Sequence, residues 1–372
     1  MKYYLIAGEA SGDLHAANLM KALKKFDPMA NFRYWGGELM AAEGGQLVRH
    51  YRDTAFMGAF EVVMNLHKIS RNLKFCKEDI LKYSPDVLIL VDYAGFNLRI
   101  ASFAKARGFR VFYYIAPKIW AWNTGRARKI KKNVDKLFSI MPFESDFYAK
   151  HNVPVVYSGN PLMDAIDKRP YKNEGFEAFV KRNNLENRPI IALLAGSRKQ
   201  EISRLLPEML AMVEHFPDFQ FVIAGAPSFT FADYEEYLRD YEDVSVVFGE
   251  TYALLESAHA ALVTSGTATL EAALLKCPQV ICYKMWGGSF TDFMAKRVII
   301  KVAHISLVNL IMNREVVKEL FQSSFSLEAL KSELSLLCYD EDYRKRMIEG
   351  YTELGYIVGS PGSSERTARL MW

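Results

Sequence analysis

Short runs of apolar, β-favouring residues alternate along this chain with longer stretches whose apolar positions recur every three or four residues. In the first half the strand-like runs fall at 3–7, 32–35, 87–91, 111–115, 136–140 and 155–157, with helical patterns between most of them, as at 12–25, 97–107 and 143–151. A strand reached through a crossover helix re-enters its sheet in the same direction, so this order predicts parallel sheets. A polar stretch, DKRPYKNEGFE at 167–177, interrupts the alternation just after Gly159-Asn160-Pro161. It then resumes, with strand-like runs at 190–194, 219–224, 244–247, 260–263 and 279–282 and helices near 199–215, 231–240, 251–258 and 267–275. From about 315 onward the pattern reads as helical only. Two α/β units are predicted, with a boundary near 160–175 and no short-period repeat. Ligands of doubly wound units bind outside the carboxyl ends of the strands, so the loops after strands are the ones to inspect.

Bulk composition narrows the picture. A length of 372 residues suits two domains, and 50% hydrophobic with 24% charged residues is a globular balance. A net charge of +4 is too small to argue for nucleic acid. The four cysteines, Cys76, Cys277, Cys282 and Cys338, form no CxxC pair and read as reduced thiols. The opening MKYYLIAGEASGD already reads as strand and turn, so no secretory leader is expected. The longest apolar runs, such as VLILV at 87–91, fall far short of the ~18–20 residues that span a bilayer. Contact with a membrane surface stays open.

Four strand-ending loops carry candidate chemistry. In AGEASGDLHA (7–16), Gly8 and Gly12 allow a tight turn, and Ser11 or Asp13 can cap the following helix. The spacing is not that of a dinucleotide fingerprint, and no Walker motif occurs. In VDYAGFNLR (91–99), Asp92 ends a strand, where it is either a turn residue or a general base. In LLAGSRKQEISRLLP (193–207), Gly196 permits close approach and Ser197 with Gln200 has the spacing of a capping box. Capping leaves Arg198 unexplained, a fixed cation whose planar fork suits phosphate or carboxylate. In LVTSGTATLEAALLKC (262–277), a strand ends in Thr264-Ser265-Gly266-Thr267 and a helix follows. That is either a tight turn or an anion seat at a helix N-terminus. Glu271, one turn beyond Thr267, is placed to accept two hydroxyl hydrogen bonds from a sugar.

These loops coincide with a family. GEASGD (8–13), PDVLILVDYAGFN (85–97), APKIWAWNTGRARKI (116–130), NVPVVYSGNPLMD (152–164), LLAGSR (193–198), SGTATLEAALLKCP (265–278) and SLVNL with NREVVKELFQ (306–322) occur in its order and spacing. The chain resembles the lipid-A-disaccharide synthases, inverting glycosyltransferases of the GT-B type, along nearly its full length. The resemblance implies two Rossmann-like doubly wound domains facing a cleft. The first, 1–165, would face acceptor and membrane, with helices from about 341–372 returning to it; the second, 166–340, would bind the UDP-sugar. The implied reaction moves 2,3-diacylglucosamine from its UDP derivative to the 6-hydroxyl of 2,3-diacylglucosamine 1-phosphate, giving a β(1→6) disaccharide 1-phosphate and UDP. The alternative is a UDP-sugar epimerase of the same two-domain fold.

Carried onto this chain, the resemblance makes Asp92, Arg198 and Asn309 catalytic. Gly196, Ser197, Arg198, Ser265, Gly266, Thr267 and Glu271 would hold the UDP-sugar, and Gly8, Ser11 and Gly12 would form an acceptor loop. Where the family commonly has an acidic residue three positions after Asp92, this chain has Gly95, leaving Asp92 the only carboxylate of its loop. Trp286-Gly287-Gly288 also departs from the bulkier or basic residues expected there. No cofactor is implied, and no DxD-like pair suggests a metal. Both substrates carry acyl chains, which bears on the segment AFMGAFEVVMNLHKISRNLKF (55–75). Its apolar Phe60, Val63, Leu66 and Ile69 and basic Lys68 and Arg71 are expected, from the implied substrate class, to rest on an anionic bilayer, although periodicity alone favours a core-facing helix with a solvated basic face. The expected location is cytoplasmic, peripheral to the inner membrane, with a homodimer exchanging C-terminal helices as one assembly.

Overall fold

The computed structural model describes residues 1–53, 66–120, 124–284 and 304–372. They form two compact units, Met1–Asp164 with Val358–Trp372, and Ala165–Ile357.

In the first unit β1 (Lys2–Ala7), β2 (Asn31–Gly36), β3 (Gln46–His50), β4 (Val87–Val91), β5 (Arg110–Tyr114), β6 (Lys136–Ser139) and β7 (Val156–Tyr157) make one parallel sheet, ordered 3-2-1-4-5-6-7. Its central strands are apolar throughout because both faces are covered. Tyr3, Leu5, Val87 and Ile89 pack with Leu19, Met20 and Leu23 of the helix Ala10–Phe26 on one face. Tyr4, Ile6, Leu88 and Leu90 meet Cys76 and Ile80 of the helix Leu66–Tyr83, and Ile100 and Ala104 of the helix Ala94–Ala106, on the other. A buried polar chain crosses this second face. The Trp35 indole donates to the Tyr4 hydroxyl (2.9 Å), which donates to Asp79 (2.7 Å), and Asp79 also receives Arg33 Nε (2.8 Å).

The second unit has a parallel sheet of β8 (Ile190–Leu194), β9 (Gln220–Gly225), β10 (Ser245–Phe248), β11 (Ala258–Thr264), β12 (Gln279–Tyr283) and β13 (Lys318–Phe321), ordered 10-9-8-11-12-13. Two strands differ from the sequence reading. β13 lies in the stretch read as helical only, and β3 was not anticipated; both are short, largely polar edge strands, QLVRH and KELF, paired on one side. The polar faces that suit an edge erase the apolar signal of a strand.

The C-terminal return is also shorter than 341–372. The helix Glu341–Val358 buries Met347, Tyr351 and Leu354 within the second unit, where Gln279 Nε2 donates to the Tyr351 hydroxyl (3.3 Å). Only the chain from Val358 joins the first unit. There Asp164 caps the helix Ser363–Met371 by accepting the Ser363 and Ser364 amides (3.2 and 3.1 Å).

The helix Leu66–Tyr83 turns Leu73, Cys76 and Ile80 toward the sheet, leaves Ile69 half-buried and exposes Lys68 and Arg71. From Leu73 onward its apolar stripe is therefore core and not membrane-facing. Phe60 and Val63, the Leu66 side chain and Trp286-Gly287-Gly288 lie outside the described residues. No helix among the described residues is long and apolar enough to cross a membrane.

Candidate active site

The second sheet changes winding direction between β8 and β11, and the loops leaving the carboxyl ends of those strands diverge there. A pocket of about 650 Å³ occupies that point. Gly196, Ser197, Arg198, Ser265, Gly266, Thr267 and Glu271 all line it.

The loop after β8 is shaped by Glu201. Gly196 has φ +124°, and a Cβ there would lie 2.5 Å from Glu201 Cβ, so both backbone and space call for glycine. The Ser197 amide donates to Glu201 Oε2 (3.0 Å), and Arg198 Nη1 stands 3.6 Å from Glu201 Oε1. The expected Ser197–Gln200 capping box does not form. The helix Lys199–Leu210 starts one residue later, with Arg198 at its N-cap and no side-chain cap. The Arg198 side chain is 64% exposed at the pocket.

The loop after β11 is open by contrast. Gly266 has an extended φ of 161° that any residue adopts, and a Cβ there would meet nothing within 4 Å. Its value is the space in front of it. The helix Thr267–Leu274 has no side-chain cap, so its amino end faces the pocket undressed. Glu271 is half-buried and accepts from the Tyr252 hydroxyl (3.1 Å). Burial pushes its carboxyl above the usual range, and that hydrogen bond opposes the shift. Tyr171 lines the same pocket with the Arg182 guanidinium stacked 3.7 Å from its ring centroid, and Arg182 pairs with Glu174 (2.5 Å). Glu201, Tyr252 and Tyr171 were missed by sequence reasoning; only Glu201, four residues after Ser197, left a spacing that could have pointed to it.

Asn309 does not line this pocket. It is fully buried, and its amide is spent: Nδ2 donates to Val317 O (2.8 Å) and Glu319 Oε1 (2.9 Å), while Oδ1 accepts from Val316 (2.7 Å) and Val317 (3.1 Å). Glu319 in turn takes the Ile305 and Ser306 amides, both at 2.9 Å. An amide with two donors and two acceptor sites has nothing left for a ligand.

In the first unit the winding reverses between β1 and β4. Gly8 and Asp92 follow those two strands. Asp92 and Tyr93 both adopt left-handed backbone, φ 45° and 47°, a conformation that costs a non-glycine residue roughly 1–3 kcal/mol. Burial raises the Asp92 carboxyl above its usual range, against the opposing charge of Lys118. Gly8 is needed for packing, since a Cβ would lie 2.3 Å from the Tyr93 ring. Gly12 is buried against Ala7, and Ser11 is exposed. Asp13 caps a different helix from the one expected. Its carboxylate accepts the Gly37, Leu39 and Met40 amides (2.6, 3.0 and 3.2 Å), at the start of Glu38–Ala42.

Two parallel, doubly wound α/β units in one chain, with a pocket at a switch point, define a protein of the GT-B class. A solved UDP-GlcNAc 2-epimerase from Neisseria meningitidis, bound to UDP-GlcNAc, matches 100% of this chain and 99% of its own with a TM-score of 0.70 at 13% identity. The glycotransferase of kitacinnamycin matches 100% and 98% with a TM-score of 0.66 at 11% identity. At such identities the likeness is one of fold. The chain belongs to the lipid-A-disaccharide synthetase family, which it matches over residues 3–355. The lipid-A-disaccharide synthase of Myxococcus xanthus is 38% identical over 373 aligned positions, spanning 98% of this chain and 95% of the relative.

Proposed function

We propose that this chain transfers 2,3-diacylglucosamine from UDP-2,3-diacylglucosamine to the 6-hydroxyl of 2,3-diacylglucosamine 1-phosphate, with inversion. The observation that carries the site assignment is the convergence of seven predicted residues on the pocket between β8 and β11. The diphosphate lies along Gly196–Arg198 and Ser265–Thr267, and Glu271 accepts the ribose hydroxyls. Asp92 takes the acceptor proton as the hydroxyl oxygen forms its bond to the anomeric carbon. The bond from that carbon to the UDP oxygen breaks, and its electron pair leaves with the diphosphate. Arg198 and the uncapped helix after Gly266 stabilise that charge. Asn309 serves as a positioning residue through the 305–317 backbone and does not touch the sugar.

Gly8, Ser11 and Gly12 border the acceptor, with Ser11 the one side chain open to it. Exposed Lys68 and Arg71, with Phe60, Val63, Leu66 and Ile69, hold the protein at the cytoplasmic face of the inner membrane, where the acylated acceptor resides. Exchange of the C-terminal helix between two copies is the assembly proposed. The test supplies both acylated substrates. Disaccharide 1-phosphate and UDP in equal amounts are expected; an epimerised UDP-sugar with the acceptor untouched would favour the epimerase reading.

A further inference from the structure

Asp92 and Tyr93 stand in consecutive left-handed conformations, which an aspartate adopts occasionally and a tyrosine rarely. Three neighbours converge on them. Asn97, fully buried one turn into the helix Ala94–Ala106, donates Nδ2 to Asp92 O (2.8 Å), Val91 O (3.2 Å) and Ile6 O (3.4 Å). With two hydrogens for three carbonyls, Nδ2 serves Asp92 O most closely and Ile6 O at the longest distance, and Oδ1 on the other side is buried with no hydrogen-bond partner among the described residues. The buried Tyr113 hydroxyl on β5 donates to the same Asp92 carbonyl. The Tyr93 ring, stacked on Phe96 at 5.4 Å, fills the space left by Gly8. The Asp92 amide meanwhile stays on the β5 ladder, donating to Tyr114 O (3.1 Å). The peptide that joins Asp92 to Tyr93 is thus gripped from a helix and from a neighbouring strand, at the residue whose side chain leaves the sheet.

We infer that Asn97 and Tyr113 are positioning residues for the Asp92 carboxylate: by gripping the Asp92 carbonyl they hold its backbone left-handed and so fix where the carboxylate points. This rests on the reading of Asp92 as the base. A helix cap would bond the helix's own first amides. Asn97 instead bonds the carbonyls at the end of β1 and β4 and leaves the helix amides to the Tyr93 carbonyl, which accepts from Phe96 and Asn97 at 3.2 and 3.0 Å. The grip therefore serves the strand end that presents Asp92. Released from it, the dipeptide relaxes toward right-handed or extended backbone, and the carboxylate swings toward water.

The test compares Asn97→Ala, Tyr113→Phe and Asp92→Asn in the full chain. Displacement of a catalytic group by about 1 Å costs up to roughly 100-fold in rate. Asn97→Ala and Tyr113→Phe should therefore lower kcat about 10- to 100-fold, with UDP affinity unchanged by calorimetry. The acid limb of the kcat profile should also move to lower pH, because a more hydrated carboxylate ionises more readily. A merely structural role would lower the melting temperature and leave the pH profile in place. If Asn97→Ala does not fold, Tyr113→Phe decides alone, since it removes one oxygen and keeps the ring. Wild-type kcat and pH profile in a folded Tyr113→Phe or Asn97→Ala protein, beside an inactive Asp92→Asn, overturns the inference and spares the base. Full turnover by Asp92→Asn removes the base and the inference with it.

Discussion

Three carboxylates show how burial sets chemistry at the residue scale. Asp92→Asn keeps the shape of its side chain and loses the proton acceptor, so turnover should drop by about 10²–10⁴ with UDP binding intact. Glu271→Gln removes the charge that would accept two ribose hydroxyls. Hydrogen bonds to a charged group contribute roughly 1.5–3 kcal/mol, so UDP should bind about 10- to 100-fold more weakly by calorimetry. Equal affinity would reject the ribose role. Glu144 behaves differently again. It is 1% exposed, and burial pushes its carboxyl up to about 7 despite the Met141 amide, the Trp120 indole and the Ile140 amide that it accepts. An unfolded glutamate titrates near ~4.3. Between those values the folded state binds more protons, so this group's contribution falls as pH rises and levels off above about 7. Glu144→Gln should flatten the stability profile across that window, measured by urea unfolding at about pH 5 and about pH 7.5; an unchanged slope would place the titration elsewhere.

At the scale of elements, polar side chains tie together segments that the sequence keeps apart. Asp13 on the helix Ala10–Phe26 caps Glu38–Ala42, and Asn309 binds the turn leading to β13 to the helix Leu307–Met312. Asn309→Ala would leave the Val316 and Val317 amides without that acceptor and Glu319 without one donor. Each buried group so stranded costs about 1–3 kcal/mol. A loss of several degrees in melting temperature is expected, with proteolytic nicking near 313–317 before global unfolding. A variant as stable and protease-resistant as the parent would show that water replaces the side chain.

The whole molecule adds one dependence that neither unit's own strands reveal. Residues 358–372 belong to the first unit, where Ala368 and Met371 join its core and Asp164 accepts the amides that begin the last helix. Ending the chain after Ile357 uncovers that core and leaves Asp164, 4% exposed, without its donors. The shortened protein is expected to lose cooperative melting of the first unit or to aggregate; a soluble product with both transitions intact would show the last helix to be dispensable. At the membrane, Lys68→Glu with Arg71→Glu should weaken binding to anionic vesicles and abolish its salt dependence, because screened polybasic attraction would be gone. Binding that stays salt-sensitive would move the contact to another surface.

Much of the architecture was legible in the chain. Both alternating α/β series, the small-residue loops after β8 and β11, and Asp92 at the end of β4 are local features, written in side-chain period and turn chemistry. The edge strands β3 and β13 were not legible, because a strand paired on one side needs no apolar run. Nor was the owner of each hydrogen bond. Glu201 takes the Ser197 amide that a capping box would have given to the Gln200 side chain, Asp13 caps the separate helix Glu38–Ala42, and Asn309 turns inward. The left-handed backbone at Asp92 and Tyr93 is the clearest case. The dipeptide alone does not call for it; Asn97 and Tyr113 bond the Asp92 carbonyl from a helix and a strand, and Gly8, in the loop after β1, leaves room for the Tyr93 ring. The sequence alone determined which loops could do chemistry, since that depends on residue type and spacing. Only the tertiary structure decided where each side chain points, since orientation depends on neighbours brought together by folding.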